Sequence, residues 1–248
     1  MSATRSALAA QTPRRPGSQL AVRRGAEESV RRDLLLVGLT FASGAGDAIA
    51  FLGLGKVFSA FMTGNLVFLG LRLGGSPQPE LPRIASSLVL FALGAFAAVR
   101  IVKPTRDTGL WPARVSLALG IAAVAQAAFL AGWLVTSGQP SARAGDLLIG
   151  LSALAMGLQS GAVLSLDVKG VFTTAATATV VALVANAAGW PGTAEDRRRY
   201  AAVLAALVAG AAAGAALVLN ARLYAPILPL AITLAVLVVR RATLAAAE

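Results

Sequence analysis

Apolar runs of about 20 residues alternate with short polar stretches along most of this chain. The long runs are Leu34 to Leu54, Ile84 to Val102, Val115 to Val135, Leu147 to Leu166 and Tyr200 to Leu219. Each approaches or exceeds the roughly 20 residues that a helix needs to cross a bilayer. Leu223 to Val239 is a further run, weakened by Pro226 and Pro229. Two shorter runs, Val57 to Leu73 and Val171 to Ala188, carry polar groups. Each follows a long run after a break that contains Lys: Gly55-Lys56 in one case, Asp167-Val168-Lys169-Gly170 in the other. The pattern predicts an all-α, polytopic transmembrane helix bundle. It has about six spanning helices plus two short broken or re-entrant segments.

Composition sharpens this. Only 13% of the 248 residues are charged and 57% are hydrophobic, against about 25% charged in soluble domains. So much apolar sequence cannot all be buried in one soluble core of this size. The net charge of +11 does not indicate nucleic acid. Its basic residues lie in the N-terminal arm and between apolar runs, which is how a helical membrane protein fixes its orientation. Met1 to Arg32 has seven Arg and no apolar h-region, so it is not a secretory signal peptide. It reads as a disordered cytoplasmic tail near anionic lipid, with a transit peptide as the alternative. There is no Cys and no His, which removes thiol chemistry and the usual general base. No cofactor and no metal site are expected.

The order of elements repeats. Val57-Phe58 and Val171-Phe172 are 114 positions apart, and at that offset Thr63 meets Thr177. The expected division is a tail at 1–32, one transmembrane domain at 33–241 made of repeats near 33–136 and 145–241, and a tail at 242–248. Charge helps to choose the topology. With eight crossings, 15 Lys and Arg face inside and 7 outside; with six, 17 and 5. The second count fits the positive-inside rule better. It gives three crossings per repeat, hence inverted repeats, a common plan of secondary transporters. Eight crossings with parallel halves is the alternative.

Costly groups mark the candidate site. Asp47 lies about 20 Å into a roughly 30 Å core, where a charge needs pairing, hydration or protonation. It is a candidate proton- or cation-coupling carboxylate, or else an ion-pair partner or helix cap. Lys56 either contacts a ligand or snorkels to the interface. Thr63, Gly64 and Asn65 form an uncharged patch suited to ligand contact or to helix–helix hydrogen bonding. Gln159, Thr173 and Thr177 are their counterparts in the second half. Gln126 and Asn186 read as packing glue. Gly157 with Gly161, and Gly210 with Gly214, have the spacing of close helix crossings or of a homo-oligomer face. Gly53 to Val57 hints at a P-loop, but Ala50 and Val57 stand where Gly and Ser or Thr are required.

Gly46-Asp47-Ala48, Val57-Phe58 and Met62-Thr63-Gly64-Asn65 together resemble the YoaK family of bacterial membrane proteins, a domain of unknown function. The resemblance covers roughly Leu34 to Arg241. It implies an inner-membrane protein of about six helices with no established substrate. The second half departs from the family pattern. Thr173-Thr174-Ala175-Ala176-Thr177-Ala178 lacks the His and Gly usual there, and Ala182 stands near an expected Asp. The leading expectation is a small secondary transporter or permease in the bacterial plasma membrane, N-terminus cytoplasmic, handling an unidentified small molecule. A non-transporting protein that binds or assembles with other membrane components is the alternative. An intramembrane enzyme is disfavoured, since no nucleophile–base pair is visible.

Overall fold

The computed structural model describes residues 16–103, 111–166, 168 and 176–245. They form eight α-helices: α1 Pro16–Gly53, α2 Met62–Leu73, α3 Leu81–Val102, α4 Ala113–Val135, α5 Ala142–Leu164, α6 Ala176–Ala187, α7 Ala194–Asn220 and α8 Ile227–Ala245. A short 3₁₀ turn, Arg222–Tyr224, precedes α8. Six helical stretches of 21 to 27 residues are long and apolar enough to cross a membrane, and α2 and α6 are not. Six helices of spanning length and two short ones are what the pattern of runs predicted.

Helix ends differ from expectation in places. Helix α1 begins at Pro16, so residues 16–32 are helical and not a disordered tail. Pro suits a first helical turn, and the Ala, Glu, Gln and Arg that follow are good helix formers. Helix α7 starts six residues before Tyr200. Thr193 and Asp196 form a capping box there, with Asp196 N donating to Thr193 Oγ1 (3.0 Å) and Thr193 N to Asp196 Oδ2 (2.9 Å).

Two helix pairs make up the frame. In one, α1 packs on α7 through Gly44 and Gly210. A Cβ on Gly44 would run into the Leu207 carbonyl, and one on Gly210 into the Phe41 carbonyl. In the other, α5 packs on α3 through Gly157 and Gly94, which would meet the carbonyls of Phe91 and Leu154. Small residues allow such backbone contact in lipid, where dispersion must do what the hydrophobic effect does in water.

An ion pair closes each helix pair. Arg199 Nε donates to Asp33 Oδ2 (2.6 Å), and Arg83 Nε donates to Asp146 Oδ1 (2.9 Å). These pairs lie at opposite ends of the bundle. The correspondence is regular: Asp146, Leu154 and Gly157 each lie 113 positions after Asp33, Phe41 and Gly44. Arg199, Leu207 and Gly210 each lie 116 positions after Arg83, Phe91 and Gly94.

Candidate functional site

Between α1 and α2 the chain is not helical, and this break is the best-bonded irregular segment among the described residues. Gly55 and Lys56 have φ of 90° and 63°, in the left-handed region that Gly adopts freely and Lys does not. They reverse the chain. Asp47 is seven residues before Leu54, or about 10 Å along α1 at 1.5 Å per residue. Its carboxylate Oδ1 accepts from Ser59 N (2.8 Å), Ala60 N (2.7 Å) and Ser59 Oγ (3.1 Å). Residues 57–61 therefore turn back from the end of α1 to the level of Asp47. Helix α2 then starts with its positive end beside that carboxylate, which a helix dipole favours.

Asn65 fixes the other side. Its Oδ1 accepts from Phe58 N (2.9 Å), while Nδ2 donates to Phe58 O (2.7 Å) and to Ser87 Oγ (2.9 Å). Ser87 Oγ also donates to Phe58 O (2.6 Å). The Asn65 amide thus pairs with the Phe58 backbone much as a neighbouring strand would. Farther along α2, Phe68 and Leu69 pack with Leu54 and Ile84. Helix α2 runs back toward the end where α1 stops, so the segment is re-entrant. Irregular backbone at membrane depth requires such internal satisfaction.

Gly64 serves a third purpose. A Cβ there would lie 2.7 Å from the Phe61 ring and 2.9 Å from the Phe58 ring. Phe58 stacks on Phe51 (5.1 Å) and Phe68 (5.8 Å) and meets Phe61 edge-on (5.3 Å). Gly64 makes room for this aromatic cluster over the hairpin. Arg83 holds the mouth. Besides Asp146 it donates to Leu54 O (2.9 Å) and Ala142 O (3.0 Å), tying α1 to the start of α5.

The structure separates the predicted residues. Asp47 and Asn65 hold the same hairpin, with Gly64 in its aromatic cover. Thr63 and Lys56 are exposed. Gln159 is fully buried, and its Nε2 donates to Leu39 O (3.1 Å) across the α1–α5 contact. Thr177 is exposed on α6, whereas Thr179 is buried. Thr173 lies outside the described residues. Arg83, Ser87 and Ser43 escape a reading of the sequence. Their only signal is a polar side chain within or at the edge of an apolar run, and most such residues merely bond their own helix.

Fold and site define the class: a polytopic integral membrane protein with a re-entrant hairpin pinned by a partly buried acid and a buried amide. A family model described as "Protein of unknown function (DUF1275)" matches residues 35–239, and the chain belongs to that family. It is 34% identical over 158 residues, 64% of this chain, to the "UPF0700 transmembrane protein YoaK" of Bacillus subtilis (strain 168), 68% of which is covered. No solved structure matches it.

Proposed function

We propose that this protein is a small secondary transporter or permease of the bacterial plasma membrane, built as an inverted duplication, with both termini cytoplasmic. The observation that carries the reading is the hairpin at residues 54–61, held inside the bundle by Asp47 with the N-terminus of a half-helix aimed at it. Broken helices whose ends meet at mid-depth are how many transporters build their sites. The matched glycine contacts and ion pairs support the duplication: one offset relates α1 to α5, a second relates α3 to α7, and the contacts exchange accordingly. The positive-inside count supports the orientation.

Coupling follows from the bonding of Asp47. A carboxylate accepts from two backbone N–H groups and a hydroxyl; a protonated or cation-bound acid accepts less well. Proton or cation binding at Asp47 therefore loosens the hairpin and favours its movement. No catalytic step is assigned to the chain.

A specific observation favours the non-transporting alternative: Asp47 and Asn65 are bonded as structural anchors are. Flux separates the two. Purified protein in proteoliposomes is tested for solute-driven current over a panel of metabolites. Uptake that Asp47→Asn uncouples from the proton or cation gradient is the expected result. A folded parent that moves none of the panel refutes the transport reading, and unaltered coupling in Asp47→Asn refutes the role of that acid.

A further inference from the structure

Leu39, Ser43, Gly46 and Asp47 fall on one face of α1, at spacings of four, three and one residues. That face meets α5. Gln159 donates to Leu39 O (3.1 Å), and a Cβ on Gly46 would sit 4.0 Å from Met156 Sδ and 3.4 Å from Ser59 Oγ. The contact is a seam, because α1 is stapled to α7 and α5 to α3. Within each pair, backbone packs on backbone through glycine; across the seam, side chains meet.

Two side chains on this seam lack hydrogen-bond partners. Ser43 Oγ and Gln159 Oε1 are both fully buried and unpartnered. They flank one carbonyl, Leu39 O, which Gln159 Nε2 already occupies and which is also the helical acceptor of Ser43 N. Leaving a hydroxyl and an amide oxygen unpaired in an apolar interior is costly. Two such groups on one seam match a molecule offering both a donor and an acceptor.

Charge narrows the class. From Leu34 to Gly55 on the α1 side there is no Lys or Arg, nor from Ala144 to Leu164 on α5. No cation on the seam can neutralise an anion. Of the two acids in these stretches, Asp146 at the start of α5 is paired with Arg83, and Asp47 is taken up by Ser59 and Ala60. We propose that Ser43 and Gln159, with Met156 as apolar wall and Gly46 as clearance, bind a small uncharged polar solute such as an amide or polyol. This names the substrate class of the transport reading and rests on it for its use.

The protein has no cysteine, so a single thiol reports on the seam. Ser43→Cys is treated with neutral methyl methanethiosulfonate and with its anionic sulfonatoethyl analogue. The neutral reagent should modify it, and the sulfonate at least about tenfold more slowly, because a charge at that depth is penalised. Acetamide, urea or glycerol, but not sodium acetate, should slow the neutral reaction. Ala122→Cys, buried on α4, should stay unmodified. Met156→Cys reads the same seam from α5 if Ser43→Cys does not fold. A seam thiol as inert as Ala122→Cys overturns the site. So does faster reaction with the sulfonate, or protection by acetate but by none of the uncharged probes. Protection without any flux in proteoliposomes keeps the site and removes the transport reading.

Discussion

Removing the Asn65 amide tests whether the hairpin is held as described. Asn65→Leu deletes four hydrogen bonds, two with the Phe58 backbone, one with Ser87 and a weak one to Met62 Sδ (3.8 Å). The losses are unequal. Phe58 O keeps Ser87 Oγ at 2.6 Å, so it stays satisfied. Phe58 N, partly buried, loses the Asn65 oxygen as its acceptor, which costs about 1–3 kcal/mol. Polar contacts between helices in membranes average only about 0.6 kcal/mol, because the unfolded helices also find partners. The expected total is about 2–3 kcal/mol, or an apparent melting temperature about 4–12 °C lower for a chain of this size. Asn65→Asp should be worse. It keeps an acceptor for Phe58 N but sets a carboxylate against Phe58 O and buries a charge. Ser87→Ala should be mildest, about 1 kcal/mol, since Phe58 O retains the Asn65 amide. The assay is thermal unfolding in detergent, followed by fluorescence of the buried Trp111 and Trp133. Asn65→Leu melting with the parent, or Ser87→Ala costing more than Asn65→Leu, would refute the pairing of Asn65 with Phe58.

Two further outcomes bear on the frame. Gly157→Ala places a methyl against the Phe91 carbonyl, so α5 must part from α3 at a cost of about 1–3 kcal/mol. Gly70→Ala, with nothing within 4 Å, should melt like the parent; equal losses at both positions would contradict the glycine staple. For topology, single cysteines replacing Gly75, Ser137 and Gly192 are labelled with an impermeant maleimide in intact cells. Gly75→Cys and Ser137→Cys should react from outside and Gly192→Cys only after lysis, whereas Gly75→Cys or Ser137→Cys reacting only after lysis would sink the six-crossing orientation.

The spans were legible because bilayer thickness fixes a length and lipid fixes a composition, and both leave a mark in a single sequence. Asp47 and Asn65 were legible because polar groups inside apolar runs need a reason to be there. Which neighbour turns inward was harder. Thr63 and Asn65 are two residues apart, about 200° around a helix, so one faces the hairpin and the other faces out. The same phase separates exposed Thr177 from buried Thr179. Arg83 stands at the edge of an apolar run, and its three attachments, to Leu54 just past α1 and to Ala142 and Asp146 on α5, come together only in the fold. A single offset of 114 also hid the ion pairs. The structure relates the helices at 113 and 116, and only those values place Asp33 on Asp146 and Arg83 on Arg199.

Those two offsets separate what is matched in the proposed duplication from what is not. Ion pairs and glycine contacts recur in both helix pairs, so the two frames pack alike. The centre is unmatched: 113 positions on, Gly46 becomes Gln159, Asp47 becomes Ser160 and Ser43 becomes Met156. At that offset the acid that anchors the hairpin after α1 has no acid counterpart on α5. A residue needed only to hold a half-helix would be needed twice, because both halves carry a short helix after a break. Asp47, Ser43 and Gln159 are each present once, and each lies on the α1–α5 seam or at its end. That placement gives the frame to architecture and puts the proposed solute site on the seam.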